Sequence, residues 1–106
     1  MSPAGTWRLT IRTPVGSLPV ELVVTENECR FTGVARGAGE DIAIPELLLV
    51  QHPDGPHLTW TQRVTKPLRL TLDFDVLVTD ETLEGTARAG RLPRSNISGT
   101  RVGGPA

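Results

Sequence analysis

Few chemically reactive side chains in this 106-residue sequence occur at positions where they could contact a ligand or substrate. Gln62 is the most informative, because it falls on the apolar face of an alternating stretch that also carries Trp60. An amide buried without a partner costs about 1–3 kcal/mol, so Gln62 should find a hydrogen-bond partner in an interior. Two interpretations stay open. Gln62 contacts a carbonyl or hydroxyl of a ligand, or it turns outward or bonds a neighbouring main-chain group.

The other candidates carry weaker signals. Glu40 has inward parity at the start of a strand, where it could be an acid or base at the barrel entrance or simply be solvated. Cys29 is the only cysteine, and on an inward parity we expect it to be a small buried residue. His52 and His57 flank a turn, so we expect both to be solvated. No further ligands at defined spacing indicate a zinc site, and no nucleophile, phosphate or dinucleotide motif is present, so we predict no metal and no cofactor.

Residues 58–78 position Gln62. Apolar and polar residues alternate along two runs, 58–64 and 68–78, which are joined at Thr65-Lys66-Pro67. A period of two predicts two paired strands, each with one dry face and one wet face. The predicted dry face of the first run is Leu58, Trp60, Gln62 and Val64, and that of the second is Leu68, Leu70, Leu72, Phe74 and Val76.

The rest of the chain repeats this pattern. We predict further strands over 5–12, 18–25, 28–36, 40–51, 81–89 and 95–102, with a bend or bulge at Pro45 or two short strands in its place. The spacing of these runs, roughly 8–12 residues with short links, predicts an all-β domain. Consecutive hairpins favour a single antiparallel up-and-down β-barrel of about eight strands. We expect one domain over residues 1–106, with an ordered core over 5–102 and a frayed tail over 103–106.

Composition excludes several classes of function. The net charge is −1 with acids and bases interspersed, so we expect no nucleic-acid partner. The longest apolar run, at 47–50, is too short to span a bilayer, and the first residues lack the features of a secretory signal. A single cysteine cannot form an internal disulfide, which favours a cytoplasmic location. Whether the chain forms a homodimer is left open.

One pair of residues resembles a known family. Gly5-Thr6-Trp7 is a G-x-W at the start of the first strand, and Arg101 lies near the end of the last. This resembles the calycins, which include lipocalins, avidins and small lipocalin-like bacterial proteins. The resemblance implies that Arg101 covers Trp7 and closes one end of the barrel through a cation–π contact and hydrogen bonds to main-chain carbonyls.

The predicted interior is uneven in side-chain size. Large side chains are expected from Trp7, Leu9, Ile11, Trp60, Leu70, Leu72 and Phe74, and small ones from Gly33, Ala35, Gly85, Ala87, Ala89 and Gly99. A barrel of about eight strands is wide enough to be filled by side chains or to hold one small ligand. We expect unfilled space beside the small residues. The alternative is that they relieve strain at coiled corners while the large residues fill the interior.

These observations favour a protein that binds one small, mostly apolar molecule inside the barrel. The expected ligand contacts are Trp60, Gln62, Phe74, Leu72, Phe31 and Cys29. The alternative function is a cofactor-independent cyclase or isomerase that folds a flexible, polyketide-like substrate, with Gln62 and Glu40 as catalytic residues. A third is a filled barrel that acts as an interaction module.

Overall fold

Eight strands in chain order make up the computed structural model, which describes residues 2–13, 16–37, 39–64 and 69–104. Each strand pairs antiparallel with the next, and β8 pairs with β1, so the sheet closes into a barrel. The predicted all-β, up-and-down architecture is therefore confirmed. The strands are β1 (Gly5–Thr13), β2 (Gly16–Asn27), β3 (Arg30–Gly37), β4 (Glu40–His52), β5 (Gly55–Val64), β6 (Leu70–Val78), β7 (Thr82–Arg88) and β8 (Ser95–Gly103).

The meander gives the barrel two distinct ends. We call the end where β1 begins and β8 finishes the lower end; the β2–β3 and β4–β5 hairpins also lie there. The opposite end, where β5 finishes and β6 begins, is the upper end. The proposed join between these two strands at 65–67, together with Leu68, lies outside the described residues. β8 extends through Gly103, so the ordered strand reaches into the segment expected to be a frayed tail.

Alternation along the strands builds one apolar core. In the middle of the barrel the inward residues are buried and their neighbours are exposed or half-buried, as the burial of β1 shows for Trp7, Leu9 and Ile11. No polar or charged residue in the described part of the chain is fully buried. Leu18 differs from expectation, because 41% of its surface is exposed. It pairs with Ile11 of β1, but the described ladder between β2 and β3 begins only at Glu21, so β3 does not flank Leu18.

β4 is one long strand with a bulge at Pro45 and Glu46. Ile44 pairs with Gly33 and Leu47 pairs with Phe31, so two residues of β4 stand opposite Thr32 alone. The extra residue shifts the inward face from even to odd positions, and both Ile44 and Leu47 are buried. Of the two alternatives left open for this segment, the single bulged strand is correct.

The β2–β3 hairpin corrects the prediction for Cys29. The turn was expected at 26–27, with Cys29 inward on the next strand, but β2 continues to Asn27 and pairs it with Arg30. Glu28 and Cys29 form the two-residue turn, with φ of 51° and 66°. A tight hairpin of this kind needs positive φ at both central positions. Cys29 is consequently exposed at the turn and has no strand face.

Core side chains or backbone occupy the space beside three of the inward glycines. A Cβ added at Gly33 would lie 3.2 Å from the Leu47 side chain, and one at Gly99 would overlap the Leu9 side chain. At Gly85 an added Cβ would collide with the backbone of β6, 2.6 Å from the Cα of Val76. These positions permit close approach of strands and large side chains, so the expectation of empty space beside them is wrong.

Candidate functional site

Two neighbouring strands bring four of the predicted site residues together in the upper half of the barrel. Trp60 pairs with Phe74, and Gln62 pairs with Leu72, in the β5–β6 ladder. The rings of Trp60 and Phe74 are stacked, with centroids 4.6 Å apart and planes 6° from parallel. Both rings are buried, whereas Gln62 and Leu72 above them are half-buried. We call these four residues the upper cluster.

The Gln62 amide is oriented by Trp60. The indole Nε1–H of Trp60 donates to Gln62 Oε1 over 3.3 Å. An indole nitrogen can only donate, so the oxygen of the amide must face Trp60 and the NH₂ group must face away from it. Both residues point to the same side of β5, and Gln62 lies nearer the upper end. Gln62 therefore points inward and bonds a neighbouring side chain, whereas its contact with a ligand stays a prediction. The amide group directed away from Trp60 is a donor.

Half-buried inward side chains continue around the upper end. Besides Gln62 and Leu72 they include Val20, Ile42, Leu70 and Ser95. This ring of side chains is mostly apolar, and the stacked Trp60 and Phe74 lie beneath part of it. Glu40 is half-buried at the start of β4, opposite Gly37, so it also belongs to the upper end. Among the described residues, the upper end therefore combines apolar surface with the Gln62 amide and the Glu40 carboxyl group.

Two expected ligand contacts are far from this cluster. Phe31 is half-buried at the start of β3 and packs against the core beside Leu47, at the lower end. Cys29 lies at the exposed turn just before it. The expected set of six ligand contacts is thus divided between the two ends of the barrel, because successive strands run in opposite directions.

At the lower end Arg101 contacts Trp7 and the first residues of the chain. The Arg101 guanidinium carbon lies 4.2 Å from the centroid of the Trp7 ring. Its three nitrogens donate to main-chain carbonyls of Asp80, Ala4 and Ser2, over 2.8, 2.6 and 2.9 Å. Trp7 Nε1–H donates to the carbonyl of Pro3 over 2.9 Å. The contacts that the resemblance to calycins implied are present.

A charged cluster that the sequence did not predict surrounds His57 on the outer wall. His57 Nδ1 lies 2.6 Å from Asp75 Oδ1, and Nε2 lies 2.9 Å from Asp54 Oδ1. Its side chain is only 17% exposed, so the expectation that it is solvated is wrong. Asp54 is close in sequence, but Asp75 comes from β6, and only the strand register brings it to His57. A carboxylate three residues before a histidine was the one available signal.

The two carboxylates favour the protonated imidazolium. The hydrogen bond to Asp75 raises the pKa of His57, and the bond to Asp54 adds to it against the opposing effect of burial. The same bond to His57 lowers the pKa of Asp54. With both ring nitrogens protonated, each N–H donates to one carboxylate. The cluster therefore ties the β4–β5 turn to β6.

The surface carries a shallow groove beside this cluster. It has a volume of about 510 Å³ and runs along the outer wall from His57 and Asp75 to Glu84, Asn96 and Ser98. Within the described ranges, no group of three or more histidine, cysteine or carboxylate side chains is arranged to hold a metal ion. The same part of the chain contains no helix with the length and apolar content needed to cross a membrane.

Apolar side chains, an oriented amide and a carboxyl group thus occur together at the upper end. At the lower end Arg101 covers Trp7, beside a cleft of about 450 Å³ whose lining includes Ser2, Glu26 and Gly104. The outer wall carries charged residues. In comparisons with known proteins, no family model and no curated protein matches this chain.

Proposed function

We propose that this protein binds one small, mostly apolar molecule at the upper end of the barrel. The observation that carries the proposal is the upper cluster, in which a buried Trp60–Phe74 stack lies beneath the half-buried Leu72 and the oriented Gln62 amide. Apolar surface with a few placed polar groups is the usual composition of a small-molecule site. Because core side chains fill the space beside Gly33 and Gly99, the ligand lies near the upper end of the barrel.

The orientation of Gln62 defines part of the ligand. The amide NH₂ is directed away from Trp60, so it is offered as a donor. A matching ligand presents a carbonyl or another acceptor above an apolar body that contacts Trp60, Phe74 and Leu72. One neutral hydrogen bond of this kind contributes roughly 0.5–1.5 kcal/mol, or up to about tenfold in affinity.

We further propose that the barrel is of the calycin type. The support is the lower end, where Arg101 covers Trp7 and bonds three main-chain carbonyls. Closure at one end leaves the opposite end as the side from which a ligand enters. The upper cluster lies on that side.

A titration with two fluorescent probes tests the binding proposal. Prodan, an apolar naphthalene with a ketone, offers the acceptor that Gln62 needs, and N-phenyl-1-naphthylamine is apolar without a carbonyl. We expect both probes to bind and to change the fluorescence of Trp60. Gln62→Leu should weaken binding of prodan by up to about tenfold and leave the second probe unaffected. Phe31→Leu at the lower end is the matched control and should change neither affinity. Failure of both probes to bind, or equal loss of both in Gln62→Leu, contradicts the proposal.

The second candidate is a cofactor-independent cyclase or isomerase. The observation that favours it is the same oriented amide, because a preorganised donor can stabilise negative charge that develops on a substrate oxygen. Glu40 would then supply the carboxyl group that moves a proton at the upper end. In this case Gln62→Leu would lower turnover by ~10²-fold or more with little change in substrate affinity, since only interactions that strengthen in the transition state accelerate the reaction.

A further inference from the structure

The lower half of β4 is an unpaired edge. The ladder between β3 and β4 ends where Phe31 pairs with Leu47. β4 continues for five more residues, Leu48 to His52, which pair only with β5 among the described residues. The β4–β5 hairpin therefore extends past β3 at the lower end, although the barrel as a whole is closed. We call Leu48–His52 the free edge.

Hairpin geometry determines which main-chain groups the free edge offers. His52 and Gly55 are paired across a two-residue turn, which makes them a hydrogen-bonded pair. In antiparallel strands hydrogen-bonded and non-hydrogen-bonded pairs alternate, so the main-chain groups of Val50 and Leu48 also bond to β5. The N–H and C=O groups of Leu49 and Gln51 then point away from β5. No other backbone hydrogen bond within the described ranges uses them. The free edge thus presents two donors and two acceptors.

The side chains of the free edge are apolar and exposed. Leu48, Leu49 and Val50 are exposed by 52, 37 and 42%. No charged residue occurs between 47 and 51. Unpaired edges are usually protected by lysine, proline or a bulge. The bulge of β4 lies before Leu47, in the part of the strand that already pairs with β3, so it does not protect the free edge. In the part of the chain that the structure describes, the other exposed large apolar residues are Leu18 on β2, Val102 on β8 and Leu92 in the β7–β8 loop, so they lie singly.

We propose that the free edge pairs with the same edge of a second copy, antiparallel and about a two-fold axis at Val50. This register places Leu49 opposite Gln51 of the second copy, and Gln51 opposite its Leu49. The main-chain N–H and C=O groups that point away from β5 are then all used in both copies, in four hydrogen bonds. A register centred on Leu49 would place Gln51 opposite the second copy's Leu47, which β3 already occupies. The number of free groups thus selects the register, as a self-complementary two-fold interface requires.

The same register joins apolar surface across the axis. Leu48 and Val50 lie on the outer face of β4, and Val50 would contact Val50 of the second copy in a non-hydrogen-bonded pair, the closer kind. The strip would then run from Leu48 through both valines to the other Leu48. A five-residue ladder buries less surface than the standard interface of about 800 Å² for each partner. We therefore expect a weak dimer whose population rises with protein concentration.

Sedimentation velocity over a range of concentrations tests this interface. We expect wild-type protein to dimerise. Gln51→Pro removes one donor that β5 does not use, and Val50→Lys adds a charge at the axis; each should raise the dimer dissociation constant by at least ~tenfold. Leu92→Lys, at a residue as exposed as Leu48, is the matched control and should leave the constant unchanged. Circular dichroism, with unaltered probe binding at the upper end, checks that each variant is folded.

Cross-linking provides a second measurement that does not depend on weakening the dimer. In a Cys29→Ser background, Val50→Cys places two thiols opposite each other at the axis, so mild oxidation should give a covalent dimer. Leu92→Cys in the same background should not. The proposal is overturned if the wild-type protein is monomeric at every concentration. Binding of an unrelated extended peptide to the free edge of such a monomer would not rescue it. A dimer that persists in Gln51→Pro and Val50→Lys, without cross-linking through residue 50, also overturns it.

Discussion

Among single residues, Arg101 connects the first residues of the chain to Asp80 at the lower end. It bonds three main-chain carbonyls from two segments and covers the Trp7 ring. We predict that Arg101→Ala lowers the free energy of unfolding by about 1–3 kcal/mol, because the cation–π contact and the hydrogen bonds to a charged donor are lost together. Arg101→Lys keeps the charge without the planar fork and should fall between alanine and wild type. Urea denaturation measures all three, and an unchanged midpoint in Arg101→Ala contradicts the closure described above.

His57 gives a prediction for pH dependence. Its pKa is raised above the ordinary value of 6.5 in the folded protein, chiefly by the hydrogen bond to Asp75. A raised folded-state pKa adds stability that is fully present below the unfolded-state value and is lost as pH rises through the folded-state value. We therefore expect the free energy of unfolding to fall as pH is raised from about 6.5 through the raised pKa of His57. Urea titrations at closely spaced pH values measure this loss.

His57→Gln should abolish that part of the pH dependence, since glutamine does not titrate. His52→Gln is the matched control: its ring lies 4.1 Å from that of His57, but neither carboxylate bonds to it. The control should keep the wild-type profile. If His57→Gln and wild type show the same slope above pH 6.5, the two carboxylates do not hold His57 in its charged form.

At the scale of elements, inward glycines adjust the distance between strands. Gly85 has the least room, because an added Cβ would lie 2.6 Å from the Cα of Val76 and would also overlap the main chain of Asp75. We predict that Gly85→Ala destabilises the fold by about 1–3 kcal/mol, as overpacking against backbone cannot be relieved by a rotamer change. Gly104→Ala, with nothing within 4 Å, is the control and should stay within about 0.5 kcal/mol of wild type. A neutral Gly85→Ala would mean that β6 and β7 are less closely packed.

The elements also show where sequence patterns were sufficient. Alternation of apolar and polar residues located all eight strands. A strand with one buried face repeats this pattern every two residues, whichever strand it pairs with. It failed at Cys29, because a turn made of Glu and Cys carries none of the glycine, asparagine or aspartate that usually marks positive φ. At Pro45 the proline signalled an interruption. The pairing of β3 with β4 then decided that it was a bulge within one strand.

At the scale of the whole molecule, the barrel is less completely paired between β4 and β5 than elsewhere. Their ladder runs from Leu48–Thr59 down to His52–Gly55, and among the described residues no register pair lies above it. By alternation, Thr61 and Arg63 direct their amides toward β4, whereas Trp60 and Gln62 direct theirs toward β6. We predict faster amide hydrogen exchange at Thr61 and Arg63 than at Trp60 and Gln62, measured by NMR. Equal protection along this segment would show that β4 and β5 are paired to the upper end.

The sequence predicted the all-β class, the strand order and the inward side of Trp60, Gln62, Leu72 and Phe74, because these follow from local alternation and short links. It also indicated the pairing of Arg101 with Trp7 through a resemblance. The folded barrel was needed to show how the interior is filled, since the space beside Gly33 and Gly99 depends on side chains from other strands. It likewise decided that Phe31 lies far from Gln62, that Trp60 orients the amide, and that Asp75 reaches His57. These are contacts between strands, and their register is set by closure of the whole barrel.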